Sequence, residues 1–78
     1  MYVYVLNSRT MPDKYYVGAT QDLEKRIQEH NSGKCCHTSK YCPWKVTTTV
    51  WFDDEKKAFD FEKYLKTGSG RAFTRKHF

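Results

Sequence analysis

From Lys14 to His30 the chain reads KYYVGATQDLEKRIQEH: an aromatic run that favours a strand, a single glycine, then a short polar helix. The rest of the chain is organised around this stretch. Arg26 and His30 stand four residues apart, so on a helix their side chains leave one face a turn apart. The strand end brings Tyr16 to the same neighbourhood, and Gly18 is expected to leave the backbone accessible where strand passes into helix. A phenol, a guanidinium and an imidazole converging beside bare backbone suit phosphate chemistry. The plainer reading is that tyrosine is a good strand former and that an Arg and a His on a polar helix are a solvated face.

Tyr2 to Leu6, YVYVL, is β-branched and aromatic and predicts a buried strand, with Tyr2, Tyr4 and Leu6 on one face and Val3 and Val5 on the other. Asn7 to Asp13 collects turn formers and a proline and predicts a loop. Lys14 to Val17 is then the antiparallel partner of the first strand, a pairing that brings Tyr4 towards Tyr16. Thr20 is the expected N-cap of the following helix, Asp22 and Glu24 complement its dipole, and Leu23 and Ile27 supply its core contact. Asn31-Ser32-Gly33 ends it. Lys34 to Trp44 lacks any period and predicts an irregular loop, whose Lys34 and Lys40, with Lys45 beyond, form a basic patch.

Lys45 to Phe52, KVTTTVWF, predicts a third strand. Asp53-Asp54 breaks it and caps a helix over Asp54 to Lys66, with Ala58, Phe61 and Leu65 as the buried stripe. Glu62 falls on that apolar face or its border, where a carboxylate tends to have a partner, a proton or a metal. Gly68-Ser69-Gly70 predicts a helix stop and Arg71 to Phe78 a short final helix anchored by Phe73.

Seventy-eight residues with a formal charge of +5 predict one small domain over 1–78 with a leaning towards polyanionic partners. No apolar run approaches the roughly 20 residues of a membrane span, and no signal-peptide pattern opens the chain, so a soluble, cytoplasmic protein is expected. Cys35, Cys36 and Cys42 are an odd number, which argues against a closed disulfide framework. With His37 they suggest a metal clip, but adjacent cysteines fit one tetrahedral ion badly, and the cluster reads as loop residues in a reducing compartment.

The order YVY at Tyr2 to Tyr4, YVG at Tyr16 to Gly18, R-x3-H at Arg26 and His30, and a lone Glu62 in the next helix resembles the GIY-YIG nuclease superfamily. HNSGK from His30, TSK from Thr38, PWK from Pro43 and EKYLKTGSGR from Glu62 are similar to segments of its small single-domain branch, which resembles the catalytic module of the UV-repair excinuclease incision subunit. The resemblance implies an α+β fold, a three-stranded antiparallel sheet flanked by helices, over residues 1–78. It also implies a metal-dependent endonuclease that hydrolyses a phosphodiester bond in one DNA strand, with low sequence specificity and a role in DNA repair or processing. The alternative is a nucleic-acid-binding module, or a nuclease subunit that depends on a protein partner.

Carried over by position, Tyr4 would accept the proton of the attacking water and Tyr16 would position that water or a phosphate oxygen. Arg26 would hold the phosphorus centre, His30 would assist the proton relay, and Glu62 would bind one divalent ion, Mg²⁺ or Mn²⁺. Nucleic-acid contacts are expected at Lys14, Lys34, Lys40, Lys45, Ser69 and Arg71. A free tyrosine ionises near pH 10, so Tyr4 or Tyr16 serves as base only if Arg26 or the metal acidifies it; His30, with a reference value of about 6.5, is the other acceptor. The sequence departs from the family in the tyrosine that opens the first triplet and the valine in the middle of both. No asparagine follows Glu62 where larger members carry one, and Ser69 or Thr67 stands in that region instead.

Overall fold

The computed structural model describes residues 1–32 and 41–78. Strand β1 (Tyr2–Ser8) lies between β2 (Tyr15–Thr20) and β3 (Trp44–Trp51) in an antiparallel sheet of order β2-β1-β3. Helix α1 (Leu23–Asn31) follows β2, and α2 (Glu55–Leu65) and α3 (Gly68–His77) follow β3. This is the expected α+β fold.

The period-two reading of β1 explains how the layers assemble. Val3 and Val5 join Val17, Ala58 and Leu65 in one core, with Phe52, Phe61 and Phe73 packed around it. Tyr4 and Leu6 point the other way, into a second core with Trp44 that Leu23 and Ile27 of α1 help cover. Because helices close both faces, the central strand is buried on both sides, which a run of β-branched and aromatic residues tolerates.

Several boundaries differ from those expected. β1 continues through Asn7 and Ser8, because these residues still pair with Lys45 and Trp44 of β3. The Ser8 hydroxyl also donates to the Tyr41 carbonyl at 2.6 Å, which ties the start of β3 to the β1–β2 turn. A register shift between Val5 and Leu6 bulges β3 at Thr47, whose hydroxyl lies within bonding distance of the Val5 carbonyl and the Asn7 side-chain oxygen. β2 starts at Tyr15 and runs past Gly18 to Thr20. The N-cap of α1 is therefore Asp22, which accepts the Lys25 amide, rather than Thr20.

Asp54 caps α2 as expected, accepting from the amides of Lys56 and Lys57. Gly68-Ser69-Gly70 is not a stop but the first turn of α3, with Thr67 as N-cap. The Thr67 hydroxyl accepts from the Gly70 amide at 3.1 Å and donates to the Tyr64 carbonyl at 2.6 Å. A Cβ on Gly70 would sit 1.8 Å from the Tyr64 carbonyl oxygen, so only glycine lets α3 begin directly against the end of α2. The residues Gly33 to Lys40, and with them the Cys35, Cys36, His37, Lys34 and Lys40 expectations, lie outside the described residues.

Candidate active site

The sheet and α1 bring three of the expected residues into contact. Tyr4, in the centre of β1, is 1 % exposed, and His30, in the last turn of α1, is fully buried. The Tyr4 hydroxyl and His30 Nε2 are 3.0 Å apart. Tyr16 lies across the sheet on the same face, opposite Leu6. Its ring centroid is 6.3 Å from that of Tyr4 and 4.8 Å from that of His30. Tyr16 is half-buried and forms the outer part of the cluster.

Two local features hold this arrangement. Gly18 pairs with Tyr4 across the β1–β2 ladder, and a Cβ there would lie 2.4 Å from the Tyr4 hydroxyl oxygen and 2.6 Å from the carbon that bears it. Gly18 is itself buried. The glycine thus makes room for a phenol instead of presenting bare backbone at the strand-to-helix junction, which corrects the expectation from sequence. At the other end, Asn31 pairs with the backbone of Trp44: its Oδ1 accepts the Trp44 amide at 2.5 Å and its Nδ2 donates to the Trp44 carbonyl at 3.2 Å. That latch joins the end of α1 to the start of β3 and fixes His30, one residue earlier, over Tyr4. In the sequence, Asn31 reads only as part of a helix stop.

The electrostatics favour a neutral imidazole. Burial holds His30 below its ordinary value of 6.5, the nearby Arg26 guanidinium pushes the same way, and the Glu29 carboxylate opposes them. Arg26 sits one turn before His30, partly exposed, with its guanidinium 3.4 Å from Glu29. Glu62 comes from α2, on the other side of the sheet. It is linked to Tyr16 through Lys66, whose Nζ is 3.2 Å from Glu62 Oε2 and 6.0 Å from the Tyr16 ring centroid. The sequence signal for Lys66 is its i, i+4 spacing from Glu62, which by itself reads as an ordinary surface pair.

Asp13, Lys14, Tyr16, Lys66 and Arg71 help line one hollow of about 340 Å³ beside β2. Lys14 and Arg71 thus share a hollow with Tyr16. Lys45 is exposed on β3, on the far edge of the sheet from β2, and Ser69 is exposed in the first turn of α3; neither lines this hollow. Cys42 packs against the Tyr4–Leu6–Trp44 core.

Among the described residues no group of three or more His, Cys, Asp and Glu side chains could enclose a metal ion. Glu62, its side chain 18 % exposed, offers one hard oxygen donor. That fits a magnesium-type ion, which is held by one or two carboxylates and keeps several waters.

The family described as the GIY-YIG catalytic domain matches residues 1–76. A UPF0213 protein of Lactococcus lactis subsp. cremoris is 42% identical over 52 residues, covering 65% of this chain and 53% of the relative. One from Streptococcus pneumoniae is 36% identical over 66 residues, covering 83% and 65%. A protein of Scheffersomyces stipitis named structure-specific endonuclease subunit SLX1 is 31% identical over 67 residues, covering 77% of this chain but 20% of its own length. The chain spans about half the length of the lactococcal relatives it matches. No solved structure is matched. The matched span contains both tyrosine strands, the Arg26–His30 helix and the helix of Glu62, and the chain belongs to the GIY-YIG catalytic domain family.

Proposed function

We propose that this protein is a divalent-metal-dependent endonuclease that hydrolyses a phosphodiester bond in one strand of DNA. The observation that carries the reading is the buried 3.0 Å contact between the Tyr4 hydroxyl and a His30 imidazole kept neutral by burial and by Arg26. Family membership and the endonuclease name of the SLX1 relatives support the reaction class.

Water attacking phosphorus must lose a proton, and the pair provides a two-step route. The Tyr4 oxygen takes the proton from water as its own proton passes to Nε2 of His30, in the tautomer that carries hydrogen on Nδ1. The hydroxide oxygen bonds to phosphorus, the bond to the leaving oxygen breaks, and that oxygen takes a proton from solvent. Tyr16, at the outer side of the cluster, orients the water or a phosphate oxygen. The Arg26 fork matches the charge that gathers on the nonbridging oxygens. Glu62 would hold the ion, which when bound supplies positive charge beside the phosphate and the leaving oxygen.

The name of the SLX1 relatives favours recognition of DNA structure over a fixed base sequence, in keeping with low sequence specificity and a role in DNA repair or processing. The word subunit in the same name favours a second reading, a nuclease that needs a protein partner in the cytoplasm to reach full activity. Cleavage of labelled single-stranded, duplex and branched DNA by wild type and Glu62→Ala, with Mg²⁺, Mn²⁺ or EDTA, separates the two. Metal-dependent cutting that the variant loses is the expected result. Undiminished cutting by Glu62→Ala would remove Glu62 from the reaction, and salt-sensitive binding without cutting would favour the partner-dependent reading.

A further inference from the structure

Lys66 has no role in the scheme above, yet its ammonium contacts both halves of the site. It pairs with the Glu62 carboxylate at 3.2 Å and stands 6.0 Å from the Tyr16 ring centroid. Its backbone is fixed as the C-cap of α2, with its amide bonded to the Lys63 and Tyr64 carbonyls, while its side chain is 51 % exposed. A fixed Cα and a long, half-exposed stem let the ammonium change partners without moving the helix. The second partner would be found in the hollow that Lys66 itself lines with Lys14, Tyr16 and Arg71.

We propose that Lys66 is a shared cation. It rests on Glu62 in the metal-free protein and moves into the Lys14–Arg71 hollow to bind a phosphate of the strand, next to the one being cut, when a divalent ion takes the carboxylate. This rests on the reading of Glu62 as the metal ligand. Charge supplies the reason for the move. Two cations on one carboxylate repel each other, so the ion displaces the ammonium. Three cations around a hollow where, among the described residues that line it, Asp13 is the one acid also repel, so the displaced ammonium settles there when a phosphate enters. Metal and strand each favour the arrangement the other needs, and their affinities rise together.

The test measures Mn²⁺ binding to the protein without DNA by electron paramagnetic resonance. Lys66→Gln should bind Mn²⁺ about two- to five-fold tighter than wild type, the range expected from removing a partly exposed ion pair. Lys63→Gln removes the same charge from the same helix without touching that pair and should change affinity less. Equal effects of the two substitutions, or no effect of Lys66→Gln, would overturn the shared-cation role while leaving Glu62 as ligand. Mn²⁺ binding that survives in Glu62→Gln would overturn the ligand reading and the inference with it.

A second arm uses fluorescence anisotropy of a labelled single-stranded oligonucleotide in EDTA. Glu62→Gln frees Lys66 without metal, so it should tighten binding and steepen the salt dependence by about 0.7 in log–log slope, the value for one added phosphate contact on a single strand. In a Lys66→Gln background the same change should give a smaller gain and no added slope. Equal gains in both backgrounds would mean that only net charge matters, and the inference would fall.

Discussion

Replacing Gly18 by alanine tests the geometry on which the whole site depends. The new Cβ would lie 2.4 Å from the Tyr4 hydroxyl oxygen and 2.6 Å from its ring carbon, both closer than any ordinary contact. Tyr4 has little room to yield, because it is 1 % exposed and sits mid-strand between β2 and β3. Overpacking of this kind costs about 1–3 kcal/mol. If the ring moves enough to lose its hydrogen bond to His30, about 1 kcal/mol more is lost. A total of about 2–4 kcal/mol is large for a domain of this size, whose stability is on the order of 4–12 kcal/mol. With a urea slope of about 1 kcal/mol per molar, the midpoint should fall by about 2 M or more. Fluorescence of Trp44, buried in the same core, reports the transition. Tyr4→Phe removes the nearer of the two clashing atoms, so the double variant should lose less than the sum of the single ones. A Gly18→Ala midpoint within about 0.3 M of wild type, well inside the predicted loss, would refute the packing argument.

Cleavage should depend on the neutral form of His30, with the acid limb of the pH profile below 6.5, and NMR titration of the imidazole should give the same midpoint. The same shift affects stability: the unfolded chain binds this proton more readily than the native one. The contribution is full above 6.5 and is lost as pH falls through the native value; urea midpoints that do not decline there would contradict it. Arg26→Lys keeps the charge but not the planar fork, so single-turnover cleavage should fall by about ten-fold or more with little change in the urea midpoint; full activity would rule out bidentate contact. On α3, Gly70→Ala should destabilise by several kcal/mol or prevent folding, because its clash is with backbone. Gly68→Ala meets nothing within 4 Å and should gain up to about 0.5 kcal/mol; thermal melts of equal midpoint would refute the distinction.

The alternation in YVYVL already separates Tyr4 and Leu6 from Val3 and Val5, and the folded chain buries those two sets in different cores. Asp54 as a cap and Ala58 and Leu65 as a buried stripe follow equally from local rules, since capping and helical period depend on neighbours within a turn or two. The four-residue spacing of Arg26 and His30 likewise fixes their relation on one helix before any tertiary contact exists. The errors cluster where a distant partner decides. β1 and β2 run longer than propensity suggests because pairing across the sheet outweighs the turn preference of Asn7 and Ser8 and the flexibility of Gly18. The Gly68-Ser69-Gly70 run looks like a stop until the end of α2 lies against it, leaving no space for a Cβ at Gly70.

The order of the elements and their apolar faces were therefore legible in the sequence, because these depend on composition and short spacing, and the same spacing singled out the side chains that the proposed phosphate chemistry uses. The folded chain adds that Gly18 makes room for the Tyr4 ring, that Asn31 latches α1 to β3 over it, and that Lys66 pairs with Glu62 beside Tyr16. The first two join residues on different elements, and the third sets an i, i+4 pair of α2 beside Tyr16 of β2; no local period encodes the contacts between elements. They arise when a central strand is closed on both faces and side chains far apart in the chain must share one small volume.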